Sequence, residues 1–433
     1  MDQSQLRRAR FIDSSLLGRK RSVQEQIAAE GGQGAAEEEV IPIMKEVETE
    51  TTIDRQKVLM SCKELLQCEI EPLHKDFHRE YLDYVLAQPL PPQMTALDAS
   101  QPWMLYWVAN SLASLNEEWL NDDVKIMMAK KLNVIGSSKT EKMGPFGGGI
   151  GQMPHIAGTY ASINALALCG NIENCWDYID RESIYQWLLS LKQSNGGFKT
   201  CVEVGEVDTR GVYCALSIAS MLNIMTEELV QGVVQYLVSC QTYEGGFGGC
   251  PQEDEAHGGY TFCAVASLMI LDALDQINVD KLLEWCSARQ LNEEKGLNGR
   301  NNKLVDGCYS FWVGATGAIL ETKGYVCPID KNALHEYICQ CCQDPAMPGL
   351  RDKPGKHADL YHTNYVLLGL AITEAIYTET SQDGPVRSSP ALHIESTTNT
   401  KLRFKTSGLS PINPVYGVPV VNLRQFAEYF HHK

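Results

Sequence analysis

Five glycine-rich segments recur through the middle of the chain and govern what it can fold into. Gly147-Gly-Gly149, Gly196-Gly-Phe198, Gly245-Gly-Phe-Gly-Gly249, Gly296-Leu-Asn-Gly299 and Gly349-Leu-Arg-Asp352 each stand shortly before a stretch dense in Ala, Ser, Gly and Leu. Registering those stretches places Tyr160, Tyr213, Tyr260, Tyr309 and His362 in equivalent slots, spaced by 53, 47, 49 and 53 residues. A period of that length holds two average helices and two loops, so it predicts stacked helical hairpins. Runs such as 161–168, 215–222, 264–271 and 367–376 lack a polar face and read as inner helices. Segments 184–192, 228–240 and 281–290 mix charged and apolar faces and read as an outer layer. The expected fold is all-α: a double-layered α/α solenoid of helical hairpins that closes on itself.

The same pattern divides the chain. Residues 1–52 lack apolar periodicity, contain Gly31-Gly-Gln-Gly34 and turn acidic from Glu37, so they read as a disordered arm. The repeats occupy 53–378. In 379–433, Ser381 to Pro390 and Ser396 to Thr400 read as a linker, and the segment from Pro411 plus a short helix near Leu423 to Phe430 as a tail packing on the body. Val134 to Met143 and Ser381 to Thr406 are polar stretches.

The 37 basic residues against 54 acidic ones leave a net charge of −17, the wrong sign for a nucleic-acid binder and better suited to a basic partner. No apolar run approaches the length of a membrane span. Fifteen cysteines, many inside apolar stretches, read as buried thiols in a reducing, cytoplasmic compartment.

Because each glycine-rich loop precedes an inner helix, the loops should emerge together at one end, where helix N-termini favour an anion. Counting back three from the slots gives Arg210, His257, Asp306 and Asp359, with Arg300 and Lys303 nearby. Cationic groups beside an apolar cavity suggest a site for phosphate on a greasy carrier. Asp306, Cys308 and His362 are sound metal ligands that leave a coordination position open, but Asp-x-Cys is a weak motif, and spacing alone favours a buried thiol and a capping Asp. Trp103 and Trp107, four apart on a helix, read as core or as a substrate wall. Cys339, Cys341 and Cys342 cannot all face one ion from a helix and read as core; His74 and His78 read as surface residues.

Several long strings are similar to the protein prenyltransferase β subunits, and among them to those of protein farnesyltransferases. They are Trp103-Met-Leu-Tyr-Trp107, Gly205-Glu-Val-Asp-Thr-Arg210, Glu255-Ala-His-Gly-Gly-Tyr-Thr-Phe-Cys263, Asn302-Lys-Leu-Val-Asp-Gly-Cys-Tyr-Ser-Phe-Trp312, Leu350 to Lys356 and Tyr361-His-Thr. The resemblance covers about residues 55–375 and Asn413-Pro-Val-Tyr416. It implies a closed α/α toroid of six hairpins and a zinc-dependent transfer of farnesyl from farnesyl diphosphate to the cysteine of a C-terminal CaaX sequence. By that resemblance, zinc falls to Asp306, Cys308 and His362, and Mg2+ accompanying the diphosphate to Asp352. The diphosphate falls to His257, Arg300, Lys303 and Tyr309. The isoprenoid wall maps to Trp103, Tyr160, Arg210, Tyr213, Tyr260, Cys263 and Trp312, and the acceptor peptide to Trp103, Trp107 and Tyr361. The family works as a heterodimer with an α subunit.

Within the family, geranylgeranyltransferase type I β subunits have a small residue at the position of Trp103 and a Lys at that of Asp352, so both residues here favour farnesyl. Terpene cyclases share the barrel type but use Asp-x-Asp-Asp or Asp-Asp-x-x-Asp, neither of which occurs here. A non-catalytic helical-repeat scaffold is the alternative of a different class, and it has no need of Arg300, Lys303 and His257 beside a metal-binding triad.

Overall fold

The computed structural model describes residues 49–89, 92–137, 142–380 and 389–432. The arm at 1–48 and parts of the two polar stretches lie outside the described residues. The first helix, α1 (Glu50–Leu66), begins slightly before the expected boundary. Six outer–inner pairs follow it. They are α2 (Lys75–Ala87) with α3 (Gln101–Leu115), α4 (Asp122–Gly136) with α5 (Ile156–Cys169), and α6 (Arg181–Leu191) with α7 (Thr209–Met221). Then come α8 (Glu227–Val230) and α9 (Val233–Ser239) with α10 (Gly258–Ile270), α11 (Val279–Ala288) with α12 (Tyr309–Thr322), and α13 (Lys331–Tyr337) with α14 (Leu360–Thr373).

Each inner helix packs on the next, and α14 packs back on α3, so the ring is closed. Composition explains the two layers. In α5 every residue but Ala157 is buried, whereas α11 buries only Val279, Leu282, Trp285 and Cys286, a stripe at helical spacing. Small residues let the inner helices approach: a Cβ on Gly369 of α14 would lie 2.3 Å from the Ser310 Cβ of α12.

Five backbone bonds tie successive repeats together at the N-terminal end. The N–H groups of Gln101, Ile156, Thr209, Gly258 and Gly307 donate to the carbonyls of Gly148, Thr200, Gly249, Gly299 and Asp352, each in the loop of the following repeat, at 2.8–2.9 Å. In α3, α5, α7 and α10 the donor is the helix's own first residue, whose orphan N–H is thereby satisfied by the neighbouring repeat, and Gly307 stands just before α12. The glycines are required where loops cross beneath side chains: a Cβ on Gly299 would lie 2.0 Å from the Tyr309 ring.

Four expectations are corrected. The outer segment 228–240 is not one helix, because Gly232 at φ 78° breaks it into α8 and α9. The stretch 367–376 does not stay helical: β1 (Ala375–Glu379) pairs antiparallel with β2 (Ile394–Thr398), so part of the expected linker is a strand. His78 is not on the surface; it is buried, with Nδ1 accepting the Gly349 N–H at 3.1 Å and Nε2 3.0 Å from Gln343 Oε1.

The repeat register also shifts. Side-chain caps fall on His155, Asp208, His257 and Asp359, and Asp306 accepts the Cys308 N–H in the same way. Counted from these caps, Tyr260, Tyr309 and His362 are third, but Tyr160 and Tyr213 are fifth. Those two tyrosines therefore lie about 3 Å deeper along their helices than the equivalence assumed.

The tail completes the fold. A tight hairpin of β3 (Ile412–Asn413) and β4 (Val418–Pro419) enters the ring of inner helices, and α15 (Val420–His431) packs across α5 and α7. Residues 412–419 are all buried.

Candidate active site

The inner helix N-termini surround a cavity of about 670 Å³, a size that suits a small organic ligand. Trp103, Trp107, Tyr160, Tyr213, Tyr260 and Cys263 line it, together with Trp312 and Tyr361. Trp103 packs against Tyr160 with ring centroids 5.6 Å apart, and Trp107 meets Tyr361 edge-on at 5.7 Å. The Trp312 indole N–H donates to the Tyr361 hydroxyl at 2.9 Å, which fixes both rings. Trp103 and Trp107 thus form a wall as well as core.

Cations stand at the mouth. Arg210, His257 and Arg300 reach the cavity with Tyr309. Arg210 is held by Asp208 and Glu206 and sits over the Tyr260 ring at 5.3 Å; Arg300 pairs with Glu255 at 3.0 Å. Nδ1 of His257 accepts the Gly259 N–H at 3.0 Å, so the neutral ring carries its proton on Nε2. That nitrogen lies 3.2 Å from the Tyr309 oxygen, which accepts its proton and leaves the phenol O–H free to donate elsewhere. Burial, with Arg300 next, holds the His257 pKa below its usual value. Lys303 is exposed and does not line the cavity; its carbonyl accepts from Asn298.

Asp306, Cys308 and His362 each present one donor atom, and the three atoms lie within 4.8 Å of one another. Among the described residues no other set of three such donors converges in this way. Asp306 comes from the loop before α12, Cys308 from the start of α12 and His362 from the first turn of α14, so the packing of neighbouring repeats assembles the set. The N-cap carboxylate of Asp359 accepts the His362 N–H with one oxygen and lies 2.7 Å from Nδ1 with the other. This turns Nε2 toward Asp306 at 3.2 Å. Burial opposes charge on both partners, but hydrogen bonding between them prevails, lowering the Asp306 pKa and raising that of His362. Burial, and next the Asp306 charge, pushes the Cys308 thiol well up. A cation among these donors relieves both the buried anion and the suppressed thiolate, so the set fits a soft divalent metal. Asp306 remains a backbone cap as well, since the two roles use the same carboxylate.

Asp352 stands outside this convergence. Its pKa is raised by burial and then by Asp306, one oxygen pairs with Lys353, and the buried Oδ1 has no hydrogen-bond partner. The residues 339, 341 and 342 lie in a buried π-helical turn, as core. The sequence reading missed Ala157, Cys214, Gly259 and Tyr365 on the cavity wall. Tyr365 was accessible to it, one helical turn beyond Tyr361.

The fold is that of the prenyltransferase alpha-alpha toroid class, whose family model matches residues 73–418. Protein farnesyltransferase subunit beta of Saccharomyces cerevisiae is 58% identical over 428 residues, covering 98% of this chain and 96% of that one. The Schizosaccharomyces pombe subunit is 39% identical, covering 88% and 97%. The chain belongs to the protein farnesyltransferase β-subunit family. A chain of the solved Candida albicans protein geranylgeranyltransferase-I complexed with GGPP matches with TM-score 0.67 at 20% identity, covering 83% of this chain and 100% of that one, which shows the shared fold.

Proposed function

We propose that this chain is the catalytic β subunit of a protein farnesyltransferase, joining the farnesyl group of farnesyl diphosphate to a cysteine of a C-terminal CaaX sequence. The reading rests on one juxtaposition: three metal donors converge beside an aromatic cavity whose mouth carries Arg300, His257 and Tyr309. A scaffold has no use for that arrangement. We assign the roles accordingly: Asp306, Cys308 and His362 hold zinc, and the aromatic wall holds the isoprenoid. Trp103, Trp107 and Tyr361 also receive the peptide side chains.

Zinc, when bound, lowers the pKa of the incoming cysteine so that its sulfur is nucleophilic at neutral pH. The sulfur bonds to carbon 1 as the bond from carbon 1 to the diphosphate oxygen breaks. Negative charge gathers on the departing diphosphate, where the Tyr309 O–H, Arg300 and the inner-helix N-termini stabilise it more than in the ground state. Arg300 must exchange Glu255 for the phosphate to do so. The orphaned Oδ1 of Asp352 supports a second cation, Mg2+, accompanying the diphosphate; Lys303 joins at the rim once its side chain turns inward. Tyr361 and Trp312 brace one another beside Cys308.

The indole of Trp103 shortens the cavity and selects a fifteen-carbon donor. Residues 53–378 form the catalytic toroid, 379–433 are a linker and tail that pack on it, and an α subunit completes the enzyme. No helix among the described residues is long and apolar enough to cross a membrane, and a cytoplasmic setting suits the free thiols. Co-expression with an α subunit, followed by competition between fifteen- and twenty-carbon diphosphates for a CaaX peptide, tests the reading. Farnesyl product is expected; no transfer, or a twenty-carbon preference, overturns it.

A further inference from the structure

The deep tyrosines belong to a layer that the repeat pattern did not reveal. Each inner helix contributes one aromatic ring: Tyr106, Tyr160, Tyr213, Phe262, Phe311 and Tyr365. Consecutive rings touch, with centroids 6.3, 5.4, 5.2, 5.0 and 5.4 Å apart. Tyr160, Tyr213 and Tyr365 face the cavity. The layer therefore crosses the ring of helices as a floor.

The tail hairpin lies behind it, toward the C-terminal ends of the inner helices, where Ser410 bonds to Ala113 and Ser114 and Tyr416 to Ser220. The Tyr213 hydroxyl donates to the Val415 carbonyl at 2.7 Å and accepts from Tyr160, 3.2 Å away. Tyr106 and Asn110 both donate to the Gly417 carbonyl, at 3.0 and 2.9 Å. Gly417, at φ 67°, sits so close to the layer that a Cβ would lie 3.0 Å from the Phe311 ring. Asn413 shapes the turn by accepting the Val415 N–H at 2.9 Å. Two tyrosines that bound the donor cavity thus hang, in series, from one backbone carbonyl of the tail.

We infer that the hairpin Ile412–Pro419 is a depth stop for the prenyl donor, with Asn413 and the Val415 carbonyl positioning Tyr213 and Tyr160 so that a fifteen-carbon chain fits and a twenty-carbon chain meets the floor. This rests on the donor assignment above and deepens it: the selectivity of Trp103 is shared with a segment remote in sequence. Aromatic rings alone form a soft floor, because unanchored phenols change rotamer to admit a longer chain. A fixed carbonyl behind them removes that freedom.

The test uses the heterodimer with an α subunit and measures Kd for the fifteen- and twenty-carbon diphosphates by quenching of intrinsic fluorescence, without turnover. Tyr213→Phe keeps the ring and removes the anchor; Asn413→Ala loosens the hairpin from behind and touches no ligand. Both are expected to raise the relative affinity for the twenty-carbon donor about fivefold or more, and Asn413→Ala to leave fifteen-carbon turnover within twofold. General destabilisation weakens both donors alike and leaves the ratio unmoved. A wild type that discriminates, with ratios unchanged in both variants, overturns the inference. Ratios that shift in both variants while the wild type transfers nothing to peptide support the depth stop and overturn the catalytic reading instead.

Discussion

Replacing Asp359 by Asn separates two things this carboxylate does. One oxygen caps α14 by accepting the His362 N–H, and the other lies 2.7 Å from Nδ1 of the same histidine. Asn caps a helix as well as Asp, so Asp359→Asn leaves stability nearly unchanged. With its oxygen kept on the backbone, however, its amide N–H2 faces Nδ1, where two donors cannot meet. The imidazole proton then moves to Nε2, the nitrogen turned toward Asp306, and occupies the lone pair a metal needs. The expected cost is about 10- to 100-fold in metal affinity, or roughly 1.4–2.8 kcal/mol. Asp359→Ala behaves differently. It loses the cap, about 0.5–2 kcal/mol, but leaves Nδ1 to water and either tautomer accessible. The two orders therefore cross: stability falls as wild type, Asn, Ala, and metal affinity as wild type, Ala, Asn. Thermal unfolding and zinc titration against a chromophoric chelator read the two. Metal affinity that simply follows stability would refute the tautomer argument.

Trp103→Ala removes the indole that rests on Tyr160; five further carbons buried at about 0.8 kcal/mol each set a ceiling near 4 kcal/mol. The ratio of kcat/KM for twenty- over fifteen-carbon donors should rise by up to about a thousandfold, and a ratio within twofold of wild type counts against Trp103 as a determinant of donor length. His257 is held neutral by burial and by Arg300, whereas a diphosphate favours its protonated form. Donor KM should accordingly fall as pH drops from about 7.5 toward 6, and His257→Gln should flatten that profile; a slope retained in the variant assigns it elsewhere. Gly369→Ala forces a methyl against Ser310 at the α12–α14 crossing and should cost about 1–3 kcal/mol in denaturant unfolding, an unshifted midpoint showing that the helices have room to part.

How much of this was legible in sequence depends on whether the signal was local. Inner helices announced themselves through unbroken Ala, Ser, Gly and Leu, and the outer α6 and α11 through single apolar stripes. The donors Asp306, Cys308 and His362 were readable because one repeat places them on adjacent hairpins. Register was less secure. His155 and His257 cap through imidazole, Asp208 and Asp359 through carboxylate, and aligning tyrosines instead of caps shifted two repeats by two residues. His78 was misread because Gly349 and Gln343, the partners that bury it, lie some 270 residues away. The tail's place was invisible for a related reason: the groups that meet Tyr213 and Tyr106 are backbone carbonyls, which every residue carries.

Metal content decides the central claim. Zinc measured by elemental analysis on the purified heterodimer should be one equivalent in the wild type, and should be lost in Cys308→Ala and His362→Ala, both still folded by circular dichroism. A full equivalent retained in Cys308→Ala would contradict the account, because the sulfur of that residue would then hold nothing.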